Sequence, residues 1–210
     1  YNETVLGNEI RNIYPTPVAV AVGVLEDYTN YTPSVFKPNN TLYLIGDIEK
    51  PCSIAGSEYL KEVHGLVKGD IPDIDLEEEK KLIDTLVELN DKRLITGAHD
   101  ISLGGLIVTV LEGLFDRETT IGANLELYTD ERIDFYLFAE NPTRVVVSVE
   151  PEKETEFEEF LNSKGVRWLK IGTTLKEPVL RVTNKGEKVL EIDTREVRKV
   201  YENRLGEILK

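Results

Sequence analysis

The stretch "ITGAHDISLGGLIVTVLEGLF" (residues 95–115) joins a short apolar run to a longer one through a group of polar and glycine residues. The run before the group is typical of a strand. Residues 104–115 are apolar nearly all round, as in a helix packed between a sheet and another layer. A strand that turns directly into such a helix is a building unit of layered α/β folds. This stretch therefore predicts a layered α/β fold, and its polar group is a candidate site.

The rest of the chain extends this alternation of strands and helices. We predict strands at residues 41–47, 93–100, 121–128, 143–150 and 166–174, and a hairpin over residues 179–193. We predict helices at residues 56–65, 75–92, 130–140, 151–165 and 194–210, with Ser57 and Asp75 as N-caps of the first two. One face of the second helix should carry Leu76, Leu82, Ile83, Leu86 and Leu89. The pattern predicts an α/β or α+β layered domain.

The first forty residues differ from this domain. Residues 1–15 read as irregular, and "TPVAVAVGVLED" (residues 16–27) as a buried strand. "YTPSVFKPNN" (residues 31–40) carries two prolines and two asparagines, which is typical of a linker. We therefore place a domain boundary near residue 38, dividing the chain into residues 1–38 and 39–210.

Composition narrows the class of protein. The 210 residues are 40% hydrophobic and 30% charged, as in a globular protein, and the formal net charge of −14 argues against general nucleic-acid binding. No apolar run approaches the roughly 20 residues that a membrane span needs, and no signal peptide is visible. The single cysteine, Cys52, fits a reducing compartment, so a cytoplasmic location is expected. Because the chain starts with Tyr1 and contains no methionine, we expect either a processed chain or a part of a longer protein.

The polar group of the opening stretch is the first candidate site. It consists of His99, Asp100, Ser102, Gly104 and Gly105, placed where a strand ends and a helix begins. Glycines let a ligand approach the backbone, and the free N–H groups of a first helical turn suit an anion such as a nucleotide phosphate. Asp100 is a candidate Mg²⁺ ligand. The alternative is a tight structural turn in which Ser102 caps the helix, and the residues alone do not decide between the two.

A second candidate lies in "FAENPTR" (residues 138–144). Glu140 is a potential metal or ligand group that would converge with Asp100, although a simple helix-ending loop is the favoured interpretation from spacing alone. His64 ends a short helix and reads as a surface residue. Cys52 has no nearby cation or histidine in sequence, which argues against a nucleophile.

Five phrases in this order resemble the C-terminal part of one family. The family is that of formylglycinamidine ribonucleotide synthetase, the PurL-type large subunit of the glutamine-dependent phosphoribosylformylglycinamidine synthase of purine biosynthesis. The phrases are "YNET", "PTPVAVAVGVLED", "GSEYLKEVHG", "AHDISLGGL" and "FAENPTRVVVSV", and together they span most of the chain. More distant ATP-dependent enzymes, including aminoimidazole ribonucleotide synthetase (PurM) and selenophosphate synthetase, are similar in architecture.

The resemblance implies a part rather than a whole enzyme. Residues 1–38 would end an A-type (PurM N-terminal-like) domain, and residues 39–210 would form a B-type (PurM C-terminal-like) domain. The full enzyme would use ATP, Mg²⁺ and ammonia from glutamine to turn a formyl amide into an amidine. Its catalytic histidine would lie in a first half outside this chain. Partners implied are the rest of the enzyme chain, a glutaminase subunit and a small accessory subunit.

Two departures from the family pattern imply a non-catalytic copy. Leu103 stands where the family usually has an acid, so this position cannot bind a metal ion. Pro142 stands where the first-half counterpart has a glutamine that contacts substrate, and proline lacks those hydrogen-bonding groups. The resemblance thus implies a structural part with an auxiliary nucleotide site. The alternatives are a scaffold that docks the other subunits, or another ligase of the same superfamily.

Overall fold

A seven-stranded sheet organises the part of the chain that the computed structural model describes, namely residues 3–7, 9–12 and 18–209. Its strand order is β4-β6-β3-β7-β5-β8-β9, and every pair is antiparallel except β5 with β8. A separate two-stranded hairpin, β1–β2, precedes it. The strands are β1 Glu3–Leu6, β2 Glu9–Asn12, β3 Thr41–Gly46, β4 Gly97–Asp100, β5 Gly122–Leu127, β6 Arg144–Val149, β7 Trp168–Leu175, β8 Val179–Asn184 and β9 Glu187–Asp193.

Six α-helices accompany the sheet. They are α1 Glu58–His64, α2 Leu76–Asp91, α3 Gly105–Gly113, α4 Ile133–Phe138, α5 Glu154–Lys164 and α6 Thr194–Ile208, and a short 3-10 helix, Pro151–Lys153, leads into α5. The predicted α/β layered class is confirmed, with the qualification that the sheet is mostly antiparallel.

The core lies on both faces of the sheet because the central strands bury both sets of side chains. In β3, Leu42 and Leu44 face a cluster that includes α3 and α4. Tyr43 and Ile45 face the opposite cluster, which includes α2 and α5. Alternate residues of a strand point to opposite faces, so a strand covered on both sides is apolar throughout. The predicted strand and helix positions agree with this arrangement to within a few residues.

The buried face of α2 differs from the prediction. Leu82 and Leu89 are buried as expected, whereas Leu76 and Ile83 are 73% and 50% exposed. Thr85 takes a place on the buried face instead, and its hydroxyl is satisfied by donating to the Lys81 carbonyl oxygen. A polar side chain can therefore lie on the helix stripe that packs on the sheet, provided that its hydrogen bond is made locally.

The first forty residues also differ from the prediction. Strands β1 and β2 form in a region expected to be irregular. Residues 18–25 form no strand, and Val18, Val20, Val22 and Val24 are 83–93% exposed. A buried strand requires a hydrogen-bonded neighbour, and the described residues offer it none. Residues 16 and 17 of the predicted strand lie outside the described part.

The segment expected to be a linker packs onto the domain. Phe36 is 5% exposed, and its backbone N–H donates to the Gly113 carbonyl oxygen at 2.7 Å. The Ala98 N–H donates to the Pro33 carbonyl oxygen at 2.9 Å. These contacts fix residues 33–37 against α3 and β4, and a boundary near residue 38 stays a prediction. Among the described residues, no helix is both long and apolar enough to cross a bilayer.

Candidate functional site

A glycine turn connects β4 to α3. Gly104 and Gly105 have φ angles of 83° and 71°, a region that favours glycine. A Cβ atom on Gly105 would lie 2.6 Å from the carbonyl carbon of Phe138, which is backbone and cannot move aside. The φ angles of the turn therefore explain both glycines, and close packing against the end of α4 is a second reason for glycine at position 105.

Glu140 occupies the space next to this turn. Its Oε1 atom accepts hydrogen bonds from the Gly104 N–H at 2.8 Å and from the Glu58 N–H at 2.9 Å. These two N–H groups belong to the N-terminal ends of α3 and α1, where a negative charge is favoured. The carboxylate of Glu140 thus fills a position that an external anion would otherwise take, and it joins the two helices.

The three following polar residues hold the loop that runs from β3 to α1. Asn141 accepts from the Ser53 N–H and donates to the Pro51 carbonyl oxygen. Thr143, at a φ of 60°, accepts the Asp47 N–H on its backbone oxygen at 2.8 Å. Asn141 and Thr143 therefore support the loop between β3 and α1.

Arg144 completes this support from a buried position. Its guanidinium donates to the carbonyl oxygens of Asp47 and Lys50 at 2.8 and 2.7 Å, and its Nη1 lies 3.2 Å from the Cys52 sulfur. Burial raises the pKa of the Cys52 thiol, although the Arg144 charge opposes the rise. A thiol kept neutral in this way is a poor nucleophile, which agrees with the expectation from sequence.

The His99 ring contacts Asp100 and Glu112. Its Nδ1 lies 2.9 Å from the Asp100 carbonyl oxygen, and its Nε2 lies 3.3 Å from Glu112 Oε2. The other oxygen of Glu112 accepts from the Tyr201 hydroxyl at 3.0 Å. His99 therefore connects β4 through α3 to the C-terminal helix α6.

The exposed part of the motif is small. The Asp100 side chain is 74% exposed, and the Ser102 side chain is also exposed. Ser102 is not the helix cap that the structural alternative expected, because Gly104 is the N-cap residue. Ser102 contributes its carbonyl oxygen, which accepts the Gly105 N–H at 3.1 Å.

The predicted site residues do not all come together. Glu140 and Gly104 meet directly, but no contact joins Glu140 to Asp100 within the described residues. Across that part of the chain, no group of three or more His, Cys, Asp or Glu side chains is placed to hold a metal ion. Asp100 offers a single carboxylate, so water or phosphate oxygens would have to supply most of the roughly six ligands of a Mg²⁺ ion. The described residues by themselves do not fit a magnesium site.

Sequence reasoning missed Glu112 and Tyr201. Glu112 is the one charged residue within "GGLIVTVLEGLF", and an isolated acid in an apolar helix is a signal of a specific partner. Tyr201 gave no such signal, because it lies in a helix rich in charged residues.

The layered fold and the glycine turn define a class of protein that the family comparison identifies. Residues 37–185 match the model of the AIR synthase related protein, C-terminal domain, and the chain belongs to this family.

Within that class, the chain is similar to one particular protein. It is 47% identical over 209 residues to the phosphoribosylformylglycinamidine synthase subunit PurL of Aquifex aeolicus, and 37% identical over 212 residues to that of Carboxydothermus hydrogenoformans. All of this chain is covered in both cases, but it spans 28% of the length of each relative. The resemblance to PurL stated from the sequence phrases is confirmed.

Solved structures agree on the fold. Thermotoga maritima PurL in complex with FGAR superposes with a TM-score of 0.67 at 21% identity, covering 79% of this chain and 29% of that one. The same protein in complex with ATP gives a TM-score of 0.63 at 20% identity, covering 80% and 27%.

Proposed function

We propose that this chain is one part of a PurL-type phosphoribosylformylglycinamidine synthase. The observation that carries the proposal is the 47% identity to a PurL subunit along the full length of the chain. The whole enzyme would convert formylglycinamide ribonucleotide to formylglycinamidine ribonucleotide, using ATP and ammonia released from glutamine. Residues 1–38 would belong to the preceding A-type domain, residues 39–210 would form the second B-type domain, and the protein would act in the cytoplasm.

In this proposal the chain does not catalyse the reaction alone. The chemistry of its motif supports a structural role, since Glu140 already satisfies two helix N-termini and His99 is turned toward Glu112. Any auxiliary nucleotide would meet the exposed Asp100 and Ser102 at the mouth of the glycine turn. Because the described residues do not form a magnesium site by themselves, any Mg²⁺ bound by Asp100 would take its other ligands from water, from phosphate oxygens or from other parts of the protein.

A docking role is the second candidate, and the exposed valines of residues 18–25 favour it. Such a segment is apolar enough to be buried against another domain of the same protein. The glutaminase and small accessory subunits would then assemble on the complete protein. A solved structure described as PurLQS from Thermotoga maritima is one of the fold relatives.

The test compares the 210-residue chain with the longest protein that contains it. Each is given ATP, ammonium and formylglycinamide ribonucleotide, and phosphate release is measured. We expect turnover by the longer protein and none by the chain alone. Turnover by the isolated chain would refute its non-catalytic role, whereas an inactive but folded long protein would refute the proposed reaction.

A further inference from the structure

A polar cavity of about 360 Å³ lies beside the start of β4, at the opposite end of that strand from the glycine turn. Residues 29–33 form one wall, the C-terminal end of α2 a second, and Glu150 with Lys153 a third. We propose that this cavity binds the phosphate group of a small molecule, at a site separate from the motif that contains Asp100. The proposal does not depend on the function proposed for the whole protein.

The charges around the cavity favour an anion. Lys37, Arg93 and Lys153 line it, and Glu150 is the one carboxylate among the lining residues. Lys153 Nζ donates to the Arg93 carbonyl oxygen at 2.7 Å, and at 3.6 Å from the Glu150 carboxylate its charge offsets that carboxylate. Within the part of the chain that the structure describes, neither Lys37 nor Arg93 forms an ion pair. This concentration of positive charge occurs in a chain with a net charge of −14, so composition does not account for it.

One acidic residue near the cavity has other partners. Hydrogen bonds from Thr29 hold the pKa of Asp27 below its usual value, and the Arg93 charge adds to this effect. Both the Thr29 N–H and its hydroxyl donate to Asp27 Oδ1, at 2.9 and 2.6 Å. Asp27 is therefore bonded to Thr29 and not to the Arg93 guanidinium, and its negative charge only partly offsets the charge of Arg93.

Arg93 has a backbone conformation that is unusual for an arginine. Its N–H donates to the Asn90 carbonyl oxygen, and the next N–H, of Leu94, donates to the Leu89 carbonyl oxygen. This is the Schellman ending of a helix, in which the residue after the cap adopts positive φ and is usually glycine. Arg93 adopts a φ of 55° there. An arginine held at this position, at a cost in conformational energy, indicates a use for its side chain.

Neutral donors complete the site. The Thr32 hydroxyl donates to Asn90 Oδ1 at 2.8 Å, which fixes the amide of Asn90 and leaves its Nδ2 without a partner among the described residues. Guanidinium, ammonium and amide N–H groups together match the oxygens of a phosphate. The volume is at the small end of the range for ligand sites, which favours a phosphomonoester over a large ligand.

Binding is measured by calorimetry on the 210-residue chain with inorganic phosphate and with ribose 5-phosphate, and ribose serves as the uncharged comparison. We expect saturable binding of both phosphates and none of ribose. Arg93→Gln and Lys37→Gln should each weaken phosphate binding by about tenfold, since each removes a charge-assisted hydrogen bond. Lys92→Gln is the matched control, because Lys92 is the exposed neighbour that does not line the cavity, and it should change binding less than about twofold.

A further variant separates binding from folding. Arg93→Gly removes the cation but suits the backbone, so it should raise the melting temperature while phosphate binding falls by about tenfold. Absence of saturable phosphate binding by the unmodified chain would overturn the proposal. So would equal losses in Arg93→Gln and Lys92→Gln, which would indicate general surface attraction, or wild-type binding in Arg93→Gly.

Discussion

Glu140 links the two helices that meet at the glycine turn, and it does so with one carboxylate oxygen. The sequence left a ligand group open for Glu140 but favoured a helix-ending loop, and the structure gives its carboxylate two backbone N–H partners at 2.8 and 2.9 Å. These two hydrogen bonds explain the carboxylate without a bound metal ion. The glycine turn is therefore held in place by a side chain of the protein itself.

We expect Glu140→Ala to lower the free energy of unfolding by about 1.5–3 kcal/mol, because it leaves two N–H groups without their charged acceptor. Glu140→Gln should cost less, since its amide oxygen can still accept. Asp100→Asn is the control, and its exposed side chain should change stability by less than about 0.5 kcal/mol. Urea unfolding of the three variants measures this. A cost for Asp100→Asn equal to that of Glu140→Ala would contradict the assignment.

Gly105 provides a second test at this scale. Gly105→Ala should destabilise the protein by about 2–4 kcal/mol, because alanine would combine an unfavourable φ with a clash against the Phe138 backbone. Gly206→Ala is the matched control, since Gly206 lies inside α6 with nothing within 4 Å of its would-be Cβ. It should be neutral or stabilising by up to about 1 kcal/mol. Thermal unfolding compares the two, and a tolerated Gly105→Ala would refute the close-packing explanation.

Among the elements, the C-terminal helix α6 depends on its first residues for attachment. Thr194 is fully buried, and its hydroxyl donates to the Ile121 carbonyl oxygen at 2.9 Å. Asp193 accepts from the Arg195 N–H at 2.9 Å and from its Nε at 3.0 Å. Tyr201, about two turns after Thr194, contacts Glu112. The helix is thus joined to the same side of the domain as His99.

Acid should loosen the start of α6. The hydrogen bonds from the Arg195 side chain and backbone lower the pKa of Asp193 to about 2. A carboxylate with a lowered pKa in the folded state stabilises fully above its unfolded pKa, about 3.9, and loses that contribution as pH falls through 2. Titration of the Asp193 carboxyl by NMR should give a midpoint near 2. Asp193→Asn should abolish this step, and a midpoint near 4 in the unmodified protein would contradict the pairing.

Elements whose signals are local could be predicted from sequence. The caps Ser57 and Asp75 lie within a few residues of the N–H groups that they bond, and the structure has both in place. The partners of Glu140 could not be predicted, because Glu58 lies 82 residues away along the chain. The strand predicted at residues 16–27 does not form in its described part, residues 18–27, for a related reason. A strand needs a neighbouring strand to pair with, and the sequence of the segment does not specify that neighbour.

At the scale of the whole molecule, the described chain consists of a packed domain and an exposed apolar segment before it. The two core clusters include residues from Phe36 to Val182, whereas the valines of residues 18–24 contribute to neither. The chain spans 28% of the length of its PurL relatives, and we propose that another domain of the longer protein covers these valines.

Limited proteolysis should show this division. Cleavage should concentrate between residues 18 and 31, where the backbone is exposed and lacks regular structure, and the fragment that starts near residue 32 should persist. Mass spectrometry identifies the sites. Rapid cleavage between residues 33 and 40 would contradict the packing of Pro33 and Phe36 onto the domain.

Hydrogen–deuterium exchange shows directly whether another domain covers residues 18–25. The amides of these residues are measured in the 210-residue chain and in the longer protein that contains it, with residues 95–105 as an internal control. We predict exchange at the rate of an unstructured segment in the chain alone and strong protection in the longer protein, while the control segment is protected in both. Equally fast exchange of residues 18–25 in the two proteins would contradict the proposal that another domain covers them.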